Sequence, residues 1–221
     1  MRDVFEPVYR LVDPRPIAAE APYTFFLPTQ AELDALAEGD LVKLIFEPLS
    51  PGPKWSAERM WVIVTGTGGA SLTGKLDNQP HEVDVELGDI VRFERHHAIA
   101  VDFGEREVDL PVRRRRGYWS RCFVDGCVLD GSEPVEYLYR IEPEARQEGD
   151  EYPDSRWRIR GRQGAASDDE MAERDAAYVA LGAVLNRDDS WLELIDAPVG
   201  SAYMRDFDAG RYDPVADDET D

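Results

Sequence analysis

Residues 65–78 read TGTGGASLTGKLDN. Gly69, four further residues, then Gly74 and Lys75 nearly spell the glycine-rich loop that wraps a nucleotide's phosphates. That loop works as strand, turn and helix, because the helix's first amides face the phosphates. The strand is present just upstream, as Trp61-Val62-Ile63-Val64. The helix is not: Asn78-Gln79-Pro80 follows almost at once, and Pro80 would end any helix begun there. Leu76 stands where a Ser or Thr hydroxyl would hold magnesium. Thr67-Gly68-Gly69 is therefore expected to be a hairpin turn, with Gly74 inside the next strand. The stretch argues against a nucleotide site and for consecutive antiparallel strands.

Its neighbours extend that reading. Leu41–Phe46, Met60–Thr65, Ser71–Leu76, Val83–Leu87 and Ile90–Phe93 are short, rich in branched or aromatic residues, and bounded by Gly, Pro, Asn or Asp. From His81 to Leu87 polar and apolar residues alternate, the period of a strand. Ahead of them, Thr29-Gln30-Ala31-Glu32 has the spacing of a capping box, Leu33 and Leu36 supply one apolar face, and Gly39 stops the helix. One short helix followed by short strands predicts a small curved antiparallel sheet or barrel over residues 1–105.

Pro111 and the arginine run in FGEREVDLPVRRRRG, residues 103–117, break any regular pattern, and 106–119 is read as a basic linker. A second domain is expected at 120–210. Its strands are Cys122–Val128 with a turn near Asp125-Gly126, Val135–Ile141, Trp157–Arg160 and Ala202–Met204. A second capping box, Ser167-Asp168-Asp169-Glu170, opens a helix whose apolar positions run to about Leu185, with a helical turn at Trp191–Ile195. The fold class is therefore α+β, with antiparallel strands and one main helix in the second domain. Residues 211–221 read as an acidic tail.

Charge limits the partners. The 221 residues carry 46 acids against 25 bases, a net −21, which opposes nucleic acid and anionic lipid and favours cationic partners. No apolar run is long enough to cross a membrane, and MRDVFEPVYR lacks a signal peptide's apolar core, so the cytoplasm is the expected location. Cys122 and Cys127 supply two of the four ligands a zinc site wants, and read instead as small buried hydrophobes. On a strand, His96 and His97 would point to opposite faces, so only one could join His81 at a metal. No cofactor motif is present. Without Gly-x-Ser-x-Gly or a cysteine-protease signature no catalytic residue is assigned, and the chain reads as non-enzymatic. A hydrolase would need Cys122 or a histidine gathered with carboxylates in one pocket.

Arg156, Arg158, Arg160 and Arg162 fall on one face of a strand, with Trp157 and Ile159 on the other. Such a row can grip carboxylates or phosphates. With Arg113–Arg116, Tyr118 and Trp119 it would suit a small-molecule or nucleic-acid binding module, but the excess of acid favours pairing with the chain's own carboxylates. Asp168, Asp169, Glu170, Asp188 and Asp189, at helix starts, are the residues expected to meet a cationic partner.

The second domain carries a further pattern. Tyr139-Arg140 precedes Glu142-Pro143, Asp154-Ser155-x-Trp157-Arg158 follows, and Ala197-Pro198-Val199-Gly200-Ser201-Ala202-Tyr203 closes the series. In this order the segments resemble the immunity protein 33 family, a small bacterial domain. The first domain, from DLVKLIFE through ERMWVIVTG, GKLDNQP and LGDIVRF, is similar to the domain of unknown function 2314 family. The resemblance implies a non-enzymatic protein that binds another protein, a toxin or effector, and brings no catalytic residues. One departure stands out. The immunity family usually has a glycine before the tryptophan, where this chain has Arg156.

Overall fold

The computed structural model describes residues 8–49, 54–69, 71–112, 115–142 and 151–215. The chain folds as two units, one of Met1–Glu20 with Phe25–Arg114, the other of Ala21–Thr24 with Arg115–Asp221.

The first unit contains β1 (Tyr9–Leu11), α1 (Arg15–Glu20), α2 (Gln30–Asp34), β2 (Leu41–Pro48), β3 (Glu58–Gly68), β4 (Ser71–Leu76), β5 (Ile90–Glu94) and β6 (Ala100–Asp102). The strands run in the order β1-β2-β3-β4-β5, and β6 returns to pair with β2, so the antiparallel sheet is nearly closed. Alternation explains the curl. Val42, Leu44 and Phe46 of β2, Met60, Val62 and Val64 of β3, and Leu72, Leu76, Val91 and Phe93 all point inward as one core. The capping box forms as the spacing predicts: the Glu32 amide donates to the Thr29 hydroxyl at 3.1 Å, and the Thr29 amide donates to the Glu32 carboxylate at 2.6 Å.

The opening stretch is a hairpin, with Gly68 paired to Ser71 and Gly69 at φ +66°. Gly74 lies inside β4. A Cβ there would sit 2.4 Å from Val62 Cγ1 and 2.5 Å from the Ile63 carbonyl oxygen, so glycine serves close strand packing and not a phosphate.

Two expectations in this unit need correction. Residues 83–87 form no strand, despite their alternation. The carboxylate of Glu58 captures their approach instead, accepting from the amides of His81, Glu82 and Val83 at 2.9, 2.6 and 2.8 Å. His96 and His97 lie not on a strand but in a 3-10 turn, Arg95–His97, their rings 4.1 Å apart. Arg106 pairs with the buried carboxylate of Asp40.

The second unit contains β7 (Arg121–Asp125), α3 (Gly126–Asp130), β8 (Val135–Arg140), β9 (Asp154–Gly161), α4 (Asp168–Ala172), β10 (Ala176–Ala180), α5 (Leu181–Leu185), a 3-10 turn (Leu192–Leu194), β11 (Ala202–Asp206) and β12 (Arg211–Pro214). The sheet order is β10-β7-β9-β8-β11-β12, antiparallel except for the parallel pair β7–β9. One face packs Cys122, Val124, Leu138, Trp157 and Ile159 against Val128, Val184, Leu185 and Trp191. The class is α+β, as expected. The single helix from 168 to about 185 is not formed: the chain leaves α4 after one turn, and residues 176–180 pair with β7 before α5 begins. The alanine-rich run fits helical spacing, but ladder bonds and the packing of Tyr178 beside Phe123 at 4.8 Å decide for strand. Residues 126–130 are likewise helix, not the end of a strand. Residues 211–214 are strand β12, not tail; residues 216–221 lie outside the described residues.

Ala21–Thr24 belongs to this unit although it lies far upstream. The Tyr23 amide donates to Asn186 Oδ1 at 2.9 Å across 163 residues of chain, Asn186 Nδ2 donates to Thr24 Oγ1 at 2.7 Å, and the Tyr23 hydroxyl donates to Asp189 at 2.6 Å. Gly182 makes room for the strap: a Cβ there would lie 2.8 Å from Thr24 Cγ2 and 2.9 Å from the Tyr23 carbonyl oxygen.

Candidate binding face

Strand β9 alternates strictly, with Ser155, Trp157, Ile159 and Gly161 buried and Asp154, Arg156, Arg158 and Arg160 on the opposite face. The face that carries the arginines also carries Phe123 of β7 and Tyr139 of β8, the cross-strand partners of Arg158. The guanidinium of Arg158 lies 4.7 Å over the Phe123 ring, a cation–π arrangement that also covers apolar surface.

The acids beside this face are the chain's own. Arg158 forks onto Asp154, with Nη1 donating to Oδ1 at 3.2 Å and Nη2 to Oδ2 at 2.9 Å. Asp125, only 3% exposed, sits between two guanidiniums. It accepts from Arg160 Nε and from the Gly161 amide, each at 3.0 Å, while Arg174 Nη1 lies at 3.7 Å. Arg174 spends two more donors on the carbonyls of Gly161 and Arg162, and Arg160 donates from Nη2 to the Met171 carbonyl. These bonds tie the short helix α4 and the turn that follows it to the end of β9. Between them lies an open cavity of about 210 Å³, lined by Phe123, Asp125, Tyr139, Arg158, Arg160 and Arg174 among others.

The remaining arginines of the row stand apart from that cavity. Arg156 occupies a bulge where β9 slips against β7, at φ +74°, the left-handed region that only glycine enters without strain. Its amide donates to Asp154 Oδ1 at 2.7 Å. Arg162 lies 4.5 Å over the Phe207 ring. Arg113 and Arg114 are outside the described residues. Arg116 pairs with Asp196.

The acidic candidates divide by how they are held. Asp168 and Asp169 are exposed in the first turn of α4, and Asp168 accepts from Gln163 Nε2 at 3.1 Å. Glu170 closes the capping box on Ser167, whose amide and hydroxyl hold its carboxyl below the usual range. Asp188 turns inward, accepting from the Val135 amide at 2.8 Å and from Arg205 at 2.9 Å, and Asp189 receives the Tyr23 hydroxyl. Only part of the acidic set thus faces outward.

Cys122 is fully buried, and burial pushes its thiol up to about 12. Burial also raises the Cys127 thiol. His97 is pushed below the ordinary imidazole value by burial and by His96 beside it. Among the described residues no three His, Cys, Asp or Glu side chains are placed to hold a metal ion. No helix among them is long and apolar enough to cross a membrane.

Asp125 and Arg174 complete the face and were not read as site residues from the sequence, where Asp154 and Tyr139 entered only within the family pattern. One signal was available: Asp125 closes an otherwise apolar strand, CFVD, directly before Gly126, where a buried carboxylate must find cations.

The second unit is thus an α+β domain whose sheet packs α3 and α5 on one face and carries arginines and aromatic rings on the other, beside α4. Residues 122–215 match the family model of the immunity protein Imm33 domain. This stretch begins in β7 and ends just after β12, so it covers the sheet and the arginine face, but not the strap at 21–24. Comparisons with curated proteins and with solved structures give no match.

Proposed function

We propose that this is a non-enzymatic, immunity-type protein that binds another protein, a cationic toxin or effector, and neutralises it by occlusion. The observation that carries this reading is the match of residues 122–215 to the immunity protein Imm33 domain. The net charge of −21 supports it, since an acidic exterior speeds the arrival of a basic partner at low salt. Asp168 and Asp169, exposed on α4, are the acids best presented for that encounter. Cys122, protonated and sealed in the core, is no candidate nucleophile.

The same reading takes residues 1–105 as a scaffold domain akin to the domain of unknown function 2314 family, joined through 106–119 to the immunity-like domain at 120–210, in a cytoplasmic protein. Capture from the native host at low and high salt tests it. The expected result is one retained protein, weakened by salt, that arrests growth when expressed alone and is relieved by co-expression of this chain. Absence of any retained protein at both salt concentrations overturns the proposal.

A further inference from the structure

We infer that the cavity between β7, β9 and α4 is a receptor for a single carboxylate, the side chain of an Asp or Glu on the partner protein. The inference rests on the protein-binding reading above and names a chemical feature of that partner.

The argument is a charge count in a confined place. The charged side chains lining the cavity are Asp125, Arg158, Arg160 and Arg174. Asp154, which pairs with Arg158, is the other acid tied to them among the described residues. Three guanidiniums therefore face two carboxylates, leaving one positive charge in excess. That excess is local and runs against a chain of net −21. It is also sheltered: the side chains of Arg158, Arg160 and Arg174 are only 12%, 32% and 18% exposed. Cations held out of water beside an open cavity gain most from an anion that enters it.

The shape and lining select the anion. A volume of about 210 Å³ accepts a side chain and not a folded surface. Phe123, Ala172 and Ala176 give it apolar walls that suit the methylenes of an acidic residue. One carboxylate balances one excess charge, whereas a phosphate dianion would leave a buried charge unmatched. Polyphosphate and nucleic acid are further opposed by the acidic exterior.

The decisive experiment is an NMR titration of the full chain, following arginine Nε–Hε resonances. The probes are N-acetylglutamate N-methylamide, its glutamine counterpart and inorganic phosphate. The glutamate probe is expected to shift the resonances of Arg158, Arg160 and Arg174 saturably, and the glutamine probe to bind about tenfold more weakly or worse, the worth of a charge-assisted bond. Arg160→Gln removes the excess charge while Arg174 stays on Asp125. Ala176→Leu narrows the cavity and leaves every ion pair in place. Both are expected to lose the response. Equal binding of the two amino-acid probes, tighter binding of phosphate, or an unchanged response in folded Ala176→Leu overturns the inference. A partner captured equally by wild type and Ala176→Leu also overturns it, while leaving the protein-binding reading intact. Saturable glutamate binding with no captured partner supports the cavity and counts against that wider reading.

Discussion

Replacing Arg156 by glycine should stabilise the protein. Arg156 is the one non-glycine residue at positive φ among the described residues, at +74°. A left-handed conformation costs an L-residue about 1–2 kcal/mol, because Cβ crowds the following carbonyl. Glycine removes that penalty but gives back about 0.5–1 kcal/mol through its greater freedom in the unfolded chain. The net expectation is a gain of about 0.5–1 kcal/mol, provided the bulge itself survives. It should, because the bonds that define it use the backbone: the residue-156 amide donates to Asp154 Oδ1 at 2.7 Å, and its carbonyl accepts from the Ile141 amide at 3.1 Å. Arg156→Ala is the control, since it deletes the side chain yet keeps Cβ and the strain. Urea unfolding should place the glycine variant's midpoint above that of both wild type and the alanine variant, with an unchanged m-value. If glycine proves no more stable than alanine, the strain assigned to this position is absent and the reasoning fails. A glycine here, which the resemblance to the immunity protein 33 family implies, would adopt this geometry without strain. The backbone there needs a left-handed residue whatever the side chain does.

Three further outcomes follow from other sites. Gly182→Ala should cost about 1–3 kcal/mol, because its Cβ would meet Thr24 and the Tyr23 carbonyl oxygen, and chymotrypsin should then cut at Tyr23 faster than in the wild type. For Glu58, burial alone would raise the carboxyl, but the three amide donors together outweigh it and hold it below the usual range. A depressed carboxyl contributes stability above its unfolded value and loses it as pH falls through the folded one, so wild type should shed stability on acidification that Glu58→Gln does not. At neutral pH that variant should be the weaker by about 1–2 kcal/mol, read in urea titrations at both pH values. Cys122, its thiol at about 12, should resist alkylation at pH 8 until the chain unfolds, which mass spectrometry of iodoacetamide-treated protein will show.

What the sequence disclosed, and what it withheld, divides by range. Both capping boxes were readable because hydroxyl and carboxylate lie three residues apart and need no tertiary partner. The hairpin at Gly68–Ser71 was readable for the same reason, through turn chemistry and a proline that forbids a helix. Arg158 and Arg160 lie on one face because strand alternation is local too. Where a distant partner decides, local pattern misled. His81–Leu87 alternates like a strand, yet Glu58, more than twenty positions upstream, draws its amides into a loop. Ala176–Ala180 suits a helix, yet β7, about fifty positions away, offers it a ladder. The candidate site inherits this division. Arg158 and Arg160 were visible as a pattern, but the excess charge arises only when Asp125 is shared with Arg174, through contacts no spacing rule reaches. Charge summed along the chain describes the exterior that the proposed partner would approach, while charge counted around Asp125 describes what its side chain would meet in the cavity. The two have opposite signs here. A basic partner that also presents one acidic side chain to the sheet would satisfy both at once, steered by the exterior and registered by the cavity.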